Sequence, residues 1–224
     1  MRRMVVLPLA LAAALAAGCD RGDRRETTGA VGTSGEVDNK TVKSADADFV
    51  RDLSIASTAE VELGKLAAER AANAQVKQFA QMMISDHTKA RESLNAIAER
   101  HHILTTALMD EKHRELKEKL AALKGAEFDR EYISAMADGH QDVLDKLESR
   151  VDTEKLADWK TQLKDKVTGT REPATAATVT PERSDNPTTM DINEWAAQSY
   201  PTVAAHLDKA TSLNDTMKKR RPTE

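Results

Sequence analysis

Residues 48–100 read DFVRDLSIASTAEVELGKLAAERAANAQVKQFAQMMISDHTKARESLNAIAER, and the rhythm of apolar side chains in this stretch decides the fold. Phe49, Leu53, Ala56, Glu60, Leu63 and Ala67 recur at alternating steps of four and three residues. That is the period of one helix face and not the two-residue period of a strand. The spacing predicts a first helix from about Asp48 to Ala72, with Asp46 available to cap it. Asn73 and its neighbours form a short turn, after which Val76, Ala80, Met83, His87, Ala90, Leu94 and Ile97 mark a second helix ending near Arg100. So short a link makes the two helices antiparallel.

Working outward toward the C-terminus, Met109, His113, Leu116, Leu120 and Leu123 predict a short connector helix that Gly125 stops. A third long helix is expected from Phe128 to Val151 on the stripe Phe128, Tyr132, Met136, His140, Val143, Leu147 and Val151. A weaker helical piece, Leu156–Val167, carries Trp159 and Leu163. Thr168–Thr189, with Pro173, Pro181 and Pro187 among threonines and charges, reads as a mobile insert. The last helix is expected from Asp191 to about Met217, with Glu194 completing a capping box and Trp195, Val203, His206, Ala210 and Leu213 on its stripe. Pro201 predicts a kink near Ala197 or a fresh helix start. Aromatic residues make up 3% of the 224, too few for sheets, which favour aromatic and β-branched side chains. The expected fold is all-α: an up-down-up-down four-helix bundle over residues 47–217, followed by a charged tail at 218–224.

The N-terminus sets the expected compartment. Arg2 and Arg3 precede an apolar run from Met4 to Ala17, and Ala16, Ala17 and Gly18 lead into Cys19. The run is shorter than the roughly 20 residues a spanning helix needs, so residues 1–18 read as a signal peptide that is removed. Leu15-Ala16-Ala17-Gly18-Cys19 resembles the bacterial lipobox, with Ala16 where that pattern prefers leucine, which makes Cys19 the lipid-bearing residue. A cut after Ala14-Leu15-Ala16 is the alternative, leaving an unpaired thiol. Cys19 is the only cysteine, so no disulfide forms within the chain. Residues 19–46 have no apolar period and read as a disordered tether. The expected location is the cell envelope, facing the periplasm, with the membrane reached through the lipid on Cys19. Asp20 resembles an inner-membrane retention signal, and the sequence leaves inner or outer membrane undecided. The net charge of −4 becomes more negative once Arg2 and Arg3 are lost, which argues against nucleic acid as a partner. Neither a protein partner nor the oligomeric state can be read.

Each long helix places one metal-capable side chain on its apolar stripe: Glu60, His87, His140 and His206. Glu60 lies 13 residues before Asn73 and His87 lies 14 after it, a difference of about one 1.5 Å rise in an antiparallel pair. His87 sits 12 residues before Glu99 and His140 12 after Phe128, while His206 is 11 before Met217 and Glu60 12 after Asp48. In an alternating bundle the four meet in one layer. One carboxylate and three imidazoles suit a divalent transition metal, whether zinc, iron, copper, nickel or manganese. The alternative is a closed hydrogen-bonded network, Glu60 pairing with a protonated histidine, that fixes helix register and binds no cofactor. His113 also sits on a stripe, with no partner in view. Glu62 points about 200° from Glu60 and reads as a solvated charge. Asp86 could orient a ligand histidine but reads as a surface acid, and His101 and His102 read as exposed loop residues. No glycine-rich phosphate loop or nucleophile elbow is present, so no catalytic residue is assigned.

Three segments carry a family resemblance: Glu60-Val61-Glu62-Leu63-Gly64-Lys65-Leu66-Ala67; Phe79-Ala80-Gln81-Met82-Met83 with Asp86-His87; and Gly125-Ala126-Glu127-Phe128-Asp129-Arg130-Glu131-Tyr132. The chain resembles the bacterial domain of unknown function 4142 family over about Phe49 to Leu213. That family is placed in the ferritin-like superfamily and often described as a predicted outer membrane or exported protein. The resemblance implies a ferritin-like bundle. This chain has Gly139-His140 where the family tends to repeat Asp-His, and its Thr/Pro-rich insert is longer. Ferritin-like dinuclear iron enzymes use two Glu-x-x-His pairs, but Ile84 and Ala137 stand three residues before His87 and His140. The superfamily's oxygen chemistry is therefore not implied. Two expectations follow: a metal-binding envelope lipoprotein, or a structural or stress-related envelope interaction protein. Oxidoreductase chemistry at a single metal would need an open coordination position.

Overall fold

A computed structural model describes residues 42–167 and 178–219. The expected signal peptide, Cys19 and most of the tether lie outside the described residues, as do 168–177 of the expected insert and 220–224 of the tail. Six helices follow one another: α1 (Ser44–Arg70), α2 (Ala74–Arg100), α3 (Glu111–Ala122), α4 (Gly125–Glu148), α5 (Thr153–Val167) and α6 (Pro187–Lys219). Extended pairing among the described residues is confined to an isolated bridge between Val151 and Pro181, and their regular structure is all helical. No described helix is long and apolar enough to cross a membrane.

Local chemistry accounts for the ends. The Asn73 side chain accepts the Gln75 N–H at 2.8 Å and so caps α2. At the other end His102 takes φ 56°, Ile103 N–H reaches the Ala98 carbonyl and His102 N–H the Glu99 carbonyl. This is a Schellman closure, with histidine in the left-handed position that glycine usually fills. Gly125, at φ 58°, turns the chain from α3 into α4, and a Cβ there would meet nothing within 4 Å. Conformation, not space, favours glycine at that point. Asp110 caps α3 by accepting the His113 N–H at 3.0 Å.

α1 packs along α2 and α4 along α6, and the contacts α2–α6 and α1–α4 close the square. Gly64 lets the first pair approach, since a Cβ there would lie 3.0 Å from Ile84 Cγ1 and 3.1 Å from the Ala80 carbonyl oxygen. The running directions differ from the expected alternation. Asp129, near the start of α4, accepts the backbone N–H groups of Ala72 and Asn73 at 3.0 and 2.8 Å. α4 therefore begins beside the α1–α2 turn. Arg150, just past its end, pairs with Asp46 in the first turn of α1 at 2.5 Å. Thr189, in the first turn of α6, donates to the same Asp46 at 2.6 Å. The course is thus up-down-down-up. The reason is α3, which carries the chain back alongside α1: Lys117 reaches Glu62 and Arg70 reaches the Ala121 carbonyl.

Three further expectations are corrected. Asp46 does not cap α1; it lies inside the helix, 1% exposed, with its two oxygens on Arg150 and Thr189. The stretch read as a mobile insert through Thr189 is packed from Val179 onward: Val179 is buried, Asp152 N–H bonds the Thr180 carbonyl and Glu182 N–H the Arg150 carbonyl. α6 begins at Pro187 rather than Asp191, because Asn186 accepts the Thr189 N–H and proline suits the first helical position. Asp191 has no capping role and instead binds Arg100 and His101, each at 2.7 Å. α6 runs through Pro201 without a fresh start.

Candidate metal site

The buried apolar side chains form two clusters. One gathers Phe49, Leu53, Leu94, Leu147, Tyr200 and Val203; the other gathers Leu63, Met83, Phe128, Tyr132, Met136 and Leu213. Glu60, His87, His140 and His206 stand on the same stripes between them, 5%, 6%, 0% and 2% exposed. Each lies near the middle of its helix. A stripe three or four residues on from a core position points into the core as well, so all four side chains face inward.

The three imidazoles form a nearly equilateral triangle, with ring centroids 5.4 Å (His87–His140), 5.4 Å (His87–His206) and 5.3 Å (His140–His206) apart. One ring nitrogen from each lies within 4.8 Å of the other two. Glu60 is outside that compact set but touches two of its members, with Oε2 2.6 Å from His87 Nε2 and Oε1 3.4 Å from His140 Nδ1. Glu60 Oε2 and His87 Nε2 thus form a buried ion pair, and neither atom has a further hydrogen-bond partner among the described residues.

The neighbours assign the protons. His140 Nδ1 lies 2.7 Å from the Met136 carbonyl oxygen, which only accepts, so Nδ1 carries hydrogen and Nε2 keeps its lone pair. His206 Nε2 lies 3.1 Å from the Asp86 carboxylate, so that nitrogen donates and Nδ1 keeps its lone pair. These two acceptor nitrogens face each other at 3.3 Å. The separation matches the edge of a tetrahedron whose metal–nitrogen bonds are about 2.0–2.1 Å.

The electrostatics agree with that assignment. Burial raises the Glu60 carboxyl, but the attraction of His140, His87 and His206 outweighs it and brings the group down to about 2. Burial lowers His87, yet Glu60, with Asp86 beyond it, holds it above the ordinary histidine value. Burial and the neighbouring His87 push His140 down, against Glu60 and the Met136 carbonyl. Burial, His87 and His140 push His206 down to about 4 despite Asp86. The layer thus holds one ionised carboxylate, one imidazole inclined to share its charge and two neutral imidazoles.

Asp86, 30% exposed, pairs with His206, so of its two readings from the sequence the orienting one fits and the surface-acid one does not. The Met136 carbonyl carried no signal, being backbone. Tyr132, one of the family-like residues, is fully buried with its hydroxyl unpartnered, and burial and Glu60 keep it protonated. His101 is not a free loop residue: Nε2 meets Asp191 at 2.7 Å and Nδ1 meets Thr188 at 3.0 Å, while His102 is exposed. His113 pairs locally with Asp110 at 2.5 Å. Glu62 points away from the layer and is held down to about 2 by hydrogen bonds from Lys117 and Lys65.

No curated protein and no solved structure matches the chain. A family model matches residues 32–177, short of the Leu213 limit that the residue-level resemblance suggested, so Glu60, His87 and His140 lie inside the match and His206 beyond it. With some two-thirds of its length spanned by that model, the chain belongs to the family described as Domain of unknown function (DUF4142).

Proposed function

We propose that this protein is a cell-envelope lipoprotein, anchored through Cys19, whose ferritin-like helical bundle binds one divalent transition metal through His87, His140 and His206. The bundle reading is supported by the up-down-down-up course with α3 as its returning connection, since ferritin-like bundles have one long crossover. The anchor reading rests on the N-terminal pattern around Cys19.

The observation that carries the metal reading is the pair of buried lone pairs, His140 Nε2 and His206 Nδ1, aimed at each other at 3.3 Å. Two acceptors at that distance repel, and a cation between them removes the conflict. Asp86 and the Met136 carbonyl set the ring tautomers, as the outer partners of metal-bound histidines do. Glu60 supplies negative charge beside His87 and His140. With one buried carboxylate in the layer, a single ion fits better than a dinuclear centre, which takes several bridging oxygens.

Zinc titration of the full chain without a histidine tag, followed by metal analysis and thermal melting, tests this. One ion per chain is expected. Zinc at a hundredfold above its Kd adds about 2.7 kcal/mol, a rise in Tm of roughly 5–11 °C for a chain of this size. His140→Ala abolishes both effects. A parent chain that takes up no divalent ion would leave the layer as a packing device and binding of an envelope partner as the role.

A further inference from the structure

Between α2 and α6 a cleft of about 390 Å³ opens to solvent, and its wall includes His87 and His206 themselves, two corners of the imidazole triangle. Lys89, Gln198 and Thr202 are exposed residues of the same wall. Asp86 joins the two: 30% of its side chain is exposed, and its Oδ2 lies 3.1 Å from His206 Nε2. The rings of His87 and His206 are 5.4 Å apart at their centroids and tilted by 45°. His140, the third corner, is fully buried and takes no part in this wall. On the opposite side of the bundle two grooves beside α4, each lined by Asp142 and Gly139, end on Glu60. None of the three histidines lines either groove.

We propose that the α2–α6 cleft is the path by which a divalent cation enters and leaves the histidine triangle, and that Asp86 is the carboxylate on which the ion first exchanges water for protein. The inference rests on the metal reading above. A hydrated cation gives up its shell in steps, and a partly exposed carboxylate oxygen is a donor that zinc and its neighbours accept. Oδ2 of Asp86 faces His206, and the second oxygen of the carboxylate is the one offered to the ion. From there the ion has one ring to pass, because His206 is held through Nε2 and keeps its lone pair on Nδ1. That passage takes the turning of a side chain and no movement of a helix. Lys89 works against it, since its ammonium repels the same cation, so the path makes opposite demands of the two charges in the wall. Ser199 and Thr202, on the α6 side of the cleft, are small enough to leave the way open.

Cobalt uptake by the full chain, followed by visible absorption after rapid mixing, and cobalt release to excess EDTA test the path, with the equilibrium Kd measured separately. A path sets both rates and leaves their ratio alone. Ser199→Leu narrows the cleft and is expected to slow uptake and release alike, each by about tenfold or more, equivalent to about 1.4 kcal/mol of barrier, with Kd unchanged. Thr202→Leu provides the same obstruction should Ser199→Leu not fold. Asp86→Asn, whose amide oxygen still accepts from His206, should slow uptake about tenfold. Lys89→Gln should quicken uptake roughly twofold or more. Asp142→Asn, in the grooves on the other side, should leave both rates as they are. Unchanged rates in both leucine variants, or release that quickens while uptake stays the same, overturn the path. Uptake slowed more by Asp142→Asn than by Asp86→Asn moves entry to the α1–α4 side and overturns it as well. A parent chain that binds no cobalt removes the metal reading itself, and this inference with it.

Discussion

Asp46 and Glu60 are both carboxylates buried on α1, 14 residues apart, or about 21 Å along the axis. Asp46 sits where three helix ends meet, with Arg150 on one oxygen and Thr189 on the other, and Arg150 also lies over the Phe49 ring with its carbon 4.6 Å from the centroid. Glu60 sits at mid-helix among three histidines, with Oε2 paired to His87 and Oε1 beside His140. Asp129 resembles Asp46: its two oxygens take two backbone N–H groups at the α1–α2 turn. Burial and charge are common to all three. The kind of partner separates two carboxylates held at helix ends by an arginine, a hydroxyl and backbone N–H groups from one whose partners are imidazoles, groups that can also ligate a metal.

The largest effect should come from breaking the closed pair. Arg150→Ala leaves Asp46 buried without its cation and is expected to cost about 3–5 kcal/mol in denaturant unfolding, equally with zinc or with chelator. Glu60→Gln should be felt in both conditions. In chelator it lowers stability, because the attraction of the histidines for the carboxylate outweighs its burial cost, and it also weakens zinc binding roughly 10–100-fold. Stability that falls in chelator with zinc affinity unchanged would place Glu60 beside Asp46 as a structural group.

Acid sharpens the comparison further. His206 is held down to about 4 in the folded protein against about 6.5 unfolded, so the unfolded chain takes up the proton first as pH falls. The contribution of this group is complete above pH 6.5 and is lost as pH falls toward 4, roughly 1–3 kcal/mol in all. Melts in chelator across that window should show it, and His206→Gln should flatten the slope.

The smallest effects concern two glycines. Gly64→Ala places a Cβ against the Ala80 backbone oxygen and the Ile84 side chain. Overpacking of about 1–3 kcal/mol outweighs the helix propensity gained, about 1 kcal/mol, so the melting temperature should fall. A Cβ at Gly139 would meet only Glu60 Oε1, at an ordinary 3.7 Å. Gly139→Ala should therefore stabilise by about 0.5–1 kcal/mol. A fall in stability there would mean that the Glu60 carboxylate needs the space.

The expectations that failed share a cause. An aspartate near a helix start serves equally as a cap or as half of a buried ion pair, and only the arrival of Arg150, 104 residues later, selects the second for Asp46. Pro187 reads as a loop residue until Asn186 is seen capping the helix that it begins. Asp86 meets His206 across two helices, 120 residues apart in sequence, so no local pattern declares the pair. The direction of α4 depends on how α3 returns the chain, and its stripe is the same whichever way the helix runs.

That last point explains why the layer of Glu60, His87, His140 and His206 was legible although the topology was not. A residue near the middle of a helix stays near the middle when the helix is reversed, so an error in direction leaves its height almost unchanged. From the sequence alone came the helical class, the inward stripes and the four mid-helix polar residues, because burial of an amphipathic face repeats over three or four residues and is written locally. Tertiary structure alone decided which way the helices run, which partners the buried carboxylates take and which nitrogens keep their lone pairs. Those depend on partners brought together from distant parts of the chain, and such meetings leave no periodic trace in the order of residues.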